Sequence, residues 1–250
     1  MKKMISILTV CLVLTGICNA KTNTMSGTVE IPVFSEFNWR GMRSQDETVF
    51  QPNITVVKDI GCGVVLVNTW LNIAPNQYWD KGDNAFNEVD VTIAYANEYK
   101  KVGYEVGLIE YVYSGLDINN THEGYVKVGY DTILSPTVTT FYDFKEVEGM
   151  YGLASVSHTI DFLSNWSITA DTGVGYATAN YNDFYYGVDK DGLNDWNSGL
   201  TLAVKVLDNV VLSTGVRYVD LVDGDIVDGA NLIYGSDDSV VTKFSATIDF

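Results

Sequence analysis

Histidine is the side chain best suited to acid–base catalysis near neutral pH, and the sequence contains two, His122 and His158. In the stretch SVSHTIDF (Ser155–Phe162), an extended chain turns Ser155 and Ser157 away from His158. A hydrolytic Ser–His pair needs hydrogen-bond contact, so these neighbours do not form one. The sequence does not exclude that a serine on an adjacent strand contacts His158. We therefore expect a protein that is not an enzyme, and we keep a lipid hydrolase as the least favoured alternative.

Two acidic segments supply aspartate oxygens of the kind that bind Ca²⁺: VDKDGLND (Val188–Asp195) and VDGDIVDG (Val222–Gly229). Neither segment has the ligand spacing of an EF-hand loop, and Asp-Gly pairs are also common in turns. The sequence therefore predicts no metal site and no cofactor. It leaves open whether these acidic segments bind Ca²⁺.

The end of the chain, VVTKFSATIDF (Val240–Phe250), alternates between two kinds of side chain. In a strand, every second residue points to the same face, and here one face is apolar while the other is polar except for Val241. This half-buried strand resembles the signal that outer-membrane proteins present to their assembly machinery. The residues that we assign to this assembly signal are Phe244, Ala246, Ile248 and Phe250.

The same alternation recurs in about twelve segments of roughly ten residues each, and no helical period interrupts them after the amino terminus. Tight connections follow the even-numbered segments, whereas the long ones follow odd-numbered segments. Outer-membrane barrels have this asymmetry, with short periplasmic turns, long extracellular loops and an even number of strands. We therefore predict an all-β fold, an antiparallel transmembrane β-barrel of about 12 strands.

Aromatic residues on the predicted outward face support the barrel. Tyr104 and Tyr130 fall near the tight turns, and Trp39, Phe144 and Tyr176 fall near the long loops. Two such girdles are typical of a protein that crosses a membrane with its strands. A soluble β-sandwich also alternates, but it has no reason to place aromatic residues at both ends of one face.

Strand parity turns one set of charged side chains toward the lumen of the predicted barrel. Eight members are acidic and five are basic, and such an excess in a confined pore favours cations. Arg40 is placed to line the pore mouth or to pair with Glu36, four residues earlier on the same inward face, and the two roles are compatible. The predicted lumen-facing set is Glu30, Glu36, Arg40, Glu88, Asp90, Glu105, Lys127, Asp143, Asp171, Lys205, Arg217, Lys243 and Asp249.

Residues 1–20 have the features of a signal peptide, since Lys2 and Lys3 precede an apolar run that ends in CNA. We expect cleavage near Ala20, which leaves residues 21–250 as one barrel domain in the bacterial outer membrane. Without the two lysines, 13 basic residues stand against 32 acidic ones, a formal charge of −19. Nucleic acid is therefore excluded as a partner. The partners that we expect are outer-membrane lipid, the barrel assembly machinery and small hydrophilic solutes.

Three segments resemble the TorF-type porin family and related conserved outer-membrane barrels of Gram-negative bacteria. They are FNWRGMRSQDETVFQP (Phe37–Pro52), LSPTVTTFYDF (Leu134–Phe144) and SVSHTIDF (Ser155–Phe162). The resemblance spans most of the mature chain and places Trp39 and Arg40 at the top of the first strand. It implies a barrel with a solute channel and supplies no catalytic residues.

Together these patterns predict a porin-like channel for passive diffusion of small hydrophilic solutes, with a weak cation preference. The main alternative is a closed, non-conducting barrel with a structural or ligand-binding role. Inward bulk such as Trp70 and Phe141 favours a plugged lumen, whereas inward glycines and other small residues favour an open one. The sequence names neither the solute nor the oligomeric state.

Overall fold

A computed structural model describes residues 24–75, 86–114 and 118–250 of the protein. The predicted signal peptide, its cleavage site near Ala20 and most of the loop at residues 74–85 lie outside the described residues. The strands and helices of the described part are β1 (Met25–Phe34), β2 (Phe37–Trp39), β3 (Met42–Gln45), β4 (Val49–Phe50), β5 (Asn53–Asp59), β6 (Val64–Ile73), β7 (Phe86–Tyr99), β8 (Val102–Tyr113), β9 (Thr121–Tyr130), β10 (Thr137–Asp143), β11 (Met150–Leu163), β12 (Trp166–Ala177), α1 (Ala179–Tyr186), β13 (Gly192–Leu207), β14 (Val210–Leu221), α2 (Gly224–Tyr234) and β15 (Asp238–Asp249).

The long strands pair antiparallel with their sequence neighbours from β5 to β15, and β15 pairs with β1 to close the sheet on itself. The short strand β4 continues into β5 after Gln51 and Pro52, so the two together make one strand of the wall. Proline has no N–H to donate, which accounts for the interruption there. The wall therefore has twelve strands, and the predicted antiparallel barrel is confirmed.

Side chains alternate between lipid and lumen along each strand, as β15 illustrates. Phe244 and Val240 are 66% and 59% exposed on the outer face, whereas Val241 and Ser245 are buried on the inner face. The lipid is an apolar solvent, so exposed apolar side chains on the outside of a barrel are the expected arrangement. The predicted faces of the last strand are correct, including the inward position of Val241.

The barrel closes at the carboxyl terminus of the chain. Backbone hydrogen bonds of 2.8 and 2.9 Å join Gly27 and Phe250 in both directions, next to the register pair Thr28–Asp249. The Phe250 ring covers Gly27, where an added Cβ would lie 2.3 Å from the ring. Gly27 and the Phe250 ring therefore fit together at the seam, the place where β15 meets β1. The pairing of these two strands leaves neither of them with an unpaired edge in lipid.

The two ends of the barrel differ as the sequence predicted. Tight turns join β5 to β6, β7 to β8, β11 to β12 and β13 to β14 at one end. The opposite end carries α1, α2 and the β2–β3 hairpin. Among the described helices, none is long and apolar enough to cross a membrane.

The alternation in the sequence predicts a first strand over residues 28–41, with a bulge where the alternation slips near Phe34 and Ser35. The structure shows a shorter strand: β1 ends at Phe34, and the chain then leaves the wall to form the β2–β3 hairpin before it returns as β4. The slip near Phe34 and Ser35 therefore marks this departure and not a bulge. Trp39 consequently packs on aromatic rings of the loops and the wall, and its assignment to an outward girdle is wrong.

Deletion of Phe250 should lower the yield of folded barrel several-fold, because it removes the backbone pair with Gly27 and the ring that covers this glycine. The measurement is the fraction of heat-modifiable protein on gels of outer membranes. The matched control is Phe162→Ala, which removes an exposed aromatic ring away from the seam. Equal yields from the two variants would contradict this role of Phe250.

Candidate functional site

The β2–β3 hairpin lies inside the lumen of the barrel. Its turn consists of Arg40 and Gly41, whose φ angles are 51° and 83°. Two successive positive φ angles define a type I′ turn, which suits a two-residue hairpin connection. Glycine is needed at position 41 for a second reason, since an added Cβ would lie 2.7 Å from both Asp195 and Leu221. The turn is therefore pressed against the inner wall.

Arg40 anchors the tip of this hairpin to the opposite wall. Its Nη1 and Nη2 donate to Oε1 and Oε2 of Glu123 at 2.7 and 2.6 Å, and Glu123 belongs to β9. Tyr111 on β8 donates a further hydrogen bond of 2.7 Å to Glu123 Oε2. The Arg40 and Glu123 side chains are only 10% and 4% exposed. A bidentate pair that is enclosed in this way fixes both distance and direction.

Three aromatic rings enclose the Arg40 guanidinium. Its Cζ lies 4.3 Å from the Trp39 ring centroid, 4.1 Å from Phe141 and 4.9 Å from Tyr151. Aromatic faces attract cations, and this attraction grows when water is excluded. The charge of Arg40 is thus compensated by Glu123 and by these rings together.

The hairpin is also held along its two sides. Asn38 Nδ2 donates to Ser239 Oγ on β15 at 3.0 Å, and Gln45 Oε1 accepts from Asn72 Nδ2 on β6 at 2.9 Å. Within the segment, Arg43 pairs with Glu36 at 3.3 Å. The hypothesis that Arg40 pairs with Glu36 is therefore wrong, because the hairpin turn carries Arg40 across to Glu123.

The helices α1 and α2 cover the hairpin at the same end of the barrel. Tyr181 and Tyr185 of α1 pack on Trp39 with ring centroids 6.4 and 5.4 Å away, and Tyr186 Oη donates to the Arg40 carbonyl at 3.4 Å. Burial raises the pKa of Tyr185 and of Tyr186 well above the ordinary value of a phenol. These phenols stay neutral and act as packing and hydrogen-bonding groups.

Two of the predicted inward carboxylates pair with predicted inward bases. Glu30 accepts from Lys243 at 2.5 Å and from Ser245 at 2.8 Å, and Asp171 lies 2.6 Å from Arg217. These contacts join neighbouring or nearby strands across the inner surface. The residues that parity assigned to the lumen on these strands are therefore brought together there.

Other members of the predicted set have different surroundings. Asp143 is buried and accepts from Thr121 Oγ1 at 2.6 Å and from three backbone N–H groups of the following turn. Lys205 and Asp249 are exposed near the tight-turn end, next to Asp208 and Thr28 respectively. Asp143 therefore shapes a loop, and these two residues belong to the rim.

Four predicted residues line cavities or the inner wall without an ion pair among the described residues. Glu105 accepts from Tyr125 Oη at 2.6 Å and lines a cavity of about 460 Å³ together with Lys127. Glu88 lines another cavity, and Asp90 Oδ1 is buried with no hydrogen-bond partner in the described part of the chain. The lumen thus keeps unpaired acidic groups on β7 and β8.

Sequence reasoning missed two inward carboxylates. Glu123 shares the parity of Tyr125 and Lys127 on β9, so the alternation already indicated its face. The alternation in the sequence predicts a strand only over residues 197–207, whereas β13 begins at Gly192. Asp195 therefore lies in a part of the strand that the sequence did not indicate. It accepts from Tyr151 Oη at 2.7 Å and is 1% exposed. Both carboxylates receive hydrogen bonds from inward tyrosines.

Cavities lie on more than one side of the hairpin. One of about 430 Å³ is lined by Arg40, Ser155, Asp171 and Arg217, and another of about 300 Å³ by Glu36 and Lys243 among others. A third, of about 400 Å³, lies between the hairpin and the helices. The hairpin therefore divides the lumen and does not fill it completely.

Residues 19–248 match the model of a family described as bacterial protein of unknown function (Gcw_chp). The chain belongs to this family. The match does not confirm the TorF-type name. A comparison with curated protein sequences finds no match.

Solved structures with a similar fold include outer-membrane channels. The KdgM porin aligns with a TM-score of 0.55 and 13% identity over 89% of this chain and 99% of that one. The NanC porin gives 0.55 and 11%, over 88% and 98% of the two chains. The COG4313 outer membrane channel from Pseudomonas putida F1 gives 0.55 and 9%, over 94% and 98%. These likenesses confirm the outer-membrane barrel fold.

Replacing Glu123 with Gln should release the hairpin, because the substitution leaves the Arg40 charge enclosed without its counter-ion, at a cost of about 3–5 kcal/mol. The measurement is trypsin cleavage after Arg43 in folded protein in detergent, which should become several-fold faster. Glu98→Gln is the control, since Glu98 is exposed near a tight turn.

A second variant separates loss of the charge balance from loss of the fold. The double change Arg40→Met and Glu123→Met removes both charges, so it should be cleaved more slowly than Glu123→Gln. Equal cleavage of Glu123→Gln and the parent protein would contradict the role of this ion pair.

Proposed function

We propose that the protein is a porin-like channel of the bacterial outer membrane, through which small hydrophilic solutes diffuse passively. The observation that carries the proposal is the β2–β3 hairpin, a charged segment held across a twelve-stranded barrel with cavities around it. Barrels of about 8 strands are filled by their own side chains, and those of about 16 contain an aqueous channel. A wall of intermediate size with an inserted hairpin fits a narrow channel whose constriction is the hairpin.

The charge balance supports a weak preference for cations. Arg40, Arg43, Arg217 and Lys243 each lie within 4 Å of a carboxylate, so their charges are largely compensated. The carboxylates of Glu88, Asp90, Glu105 and Asp195 have no ion pair among the described residues, and Lys127 is the lumen-facing base in the same position, so acids outnumber bases there by four to one. Uncompensated acidic groups in a confined space concentrate cations.

The excess of acidic groups in the lumen also bears on the charge of the solute. One similar structure contains the KdgM porin with oligogalacturonate, an anionic saccharide. At 13% identity that solute is not carried over to this chain. An acidic lumen repels anions, so we propose neutral or cationic solutes for this protein.

A closed barrel with a structural or ligand-binding role is the second candidate. It is favoured by the close packing of Trp39, Tyr181 and Tyr185 at the end that carries α1 and α2. A lipid hydrolase has less support, because His158 Nδ1 lies 2.7 Å from the Ile133 carbonyl. That contact occupies one ring nitrogen with a backbone group.

Replacing residues 36–47 by Asn-Gly, a two-residue hairpin connection, should raise single-channel conductance several-fold, because the constriction is gone. The measurement is conductance of refolded protein in planar bilayers, with heat-modifiable mobility as the test of folding. Glu123→Gln, which keeps every backbone segment, should raise conductance in the same direction. A parent protein without conductance would support the closed barrel, and unchanged conductance in both variants would contradict the constriction.

Neutralising Arg217 and Lys243 together to Gln should increase cation selectivity several-fold, because Asp171 and Glu30 lose their counter-ions. The reversal potential of bilayer currents under a KCl gradient measures this change. The control is Lys205→Gln at the exposed rim, for which we expect a smaller shift. An anion-selective parent, or a conducting double variant without any shift, would refute the lumen charge balance.

A further inference from the structure

The cavity between the hairpin and the helices has an unusual lining. It encloses about 400 Å³ at the end of the barrel that carries α1 and α2. Its walls come from the hairpin, the ends of β6 to β9, the β10–β11 connection and both helices. Six aromatic side chains contribute to it: Phe37, Trp39, Tyr113, Phe184, Tyr185 and Tyr234.

The aromatic rings meet at steep angles. Trp39 and Tyr185 have centroids 5.4 Å apart and planes at 62°, and Phe184 and Tyr185 are 4.9 Å apart at 74°. Tyr234 Oη donates to the Tyr185 carbonyl at 2.8 Å, which ties α2 to α1 at this point. Several aromatic rings around one space are the arrangement used to hold ammonium groups.

The charged residues of this lining are acidic. Glu88 and Glu146 are the charged members among the described lining residues, and no Lys, Arg or His is among them. Glu146 accepts one hydrogen bond from Asn119, and neither carboxylate has an ion pair within the described residues. The cavity therefore combines aromatic rings with two acidic side chains that have no basic partner among the described residues.

The amide groups of the lining are largely engaged with one another. Asn72 accepts from Gln51 and donates to both Gln45 and Asn87, at 2.8 to 3.0 Å. A sugar needs many free donors and acceptors in addition to a stacking surface, and this network removes several of them. The chemistry that remains suits a positive charge with an apolar body.

Arg40 shows that one of these rings, that of Trp39, attracts a cation. Its guanidinium lies 4.3 Å from the Trp39 centroid, while the residue itself lines the neighbouring cavity and not this one. In the neighbouring cavity, the cation that Trp39 attracts is therefore a side chain of the protein itself. In the cavity between the hairpin and the helices, no basic residue of the described lining takes this role.

We propose that this cavity binds an organic cation, an ammonium group with apolar substituents, through the aromatic rings and the carboxylates of Glu88 and Glu146. The inference deepens the proposed channel function, and rests on it only for the claim that the bound cation is a solute on its way through the barrel. Binding itself requires the cavity alone.

The test uses choline and its uncharged isostere 3,3-dimethylbutan-1-ol as probes of purified, folded protein in detergent. Equilibrium binding should be about tenfold tighter for choline, because the two molecules differ mainly in charge. The double variant Glu88→Gln and Glu146→Gln should reduce choline binding about tenfold and leave the isostere unchanged. Glu105→Gln is the matched control, a lumen carboxylate outside this cavity.

Each outcome bears on the proposal. Equal affinity for the two probes, or equal choline binding by the parent and the double variant, would overturn it, as would tighter binding of cellobiose, a neutral sugar. Bilayer conductance of the same preparations tests the channel separately. A non-conducting protein that binds choline refutes transport and keeps the site, whereas a conducting protein that ignores choline refutes the site and keeps the channel.

Discussion

The enclosed charge of Arg40 is the constraint on which the inside of this barrel depends. A guanidinium that is 10% exposed must be compensated, and Glu123 does so with two hydrogen bonds while three aromatic rings exclude water around it. Glu123 is fixed in turn by Tyr111. Because the wall strands hold Glu123 in register, the tip of the hairpin has one position. The cavities on its sides and the packing of α1 follow from that position.

The inserted hairpin gives the barrel a second core. Outward residues of the wall face lipid, so the packed interior forms where the hairpin and helices meet, around Val147, Tyr151, Tyr181 and Ile226. A twelve-stranded wall leaves a space that inward side chains alone do not fill. Tyrosine suits this location because its ring packs and its hydroxyl reaches the inward carboxylates, as Tyr151 reaches Asp195. Stability and shape at this end of the barrel are therefore coupled.

The wall could be predicted from the sequence, because a side-chain period of two is all that a barrel strand requires. The hairpin could not, since β2 and β3 are extended segments that directly follow β1, and the slip in the alternation near Phe34 and Ser35 is equally typical of a bulge. The pair Arg40-Gly41 indicates a turn but does not show whether that turn lies inside or outside the barrel. Glu123 was missed although its parity with Lys127 indicated the inner face, and its role depends on a residue 83 positions away. Pairing between distant segments is set by packing, which alternation does not encode.

Width and charge cannot change independently in this lumen. With the hairpin in place, Arg40 and Arg43 compensate Glu123 and Glu36. Moving the hairpin toward the outside takes both arginines and Glu36 with it, and leaves Glu123 on the wall beside the other acidic groups of β7 to β9. A lumen without the hairpin would therefore be both wider and more acidic, because two positive charges would leave with one negative charge. In the channel that we propose, the size of the solutes that pass would then be coupled to the sign of their charge.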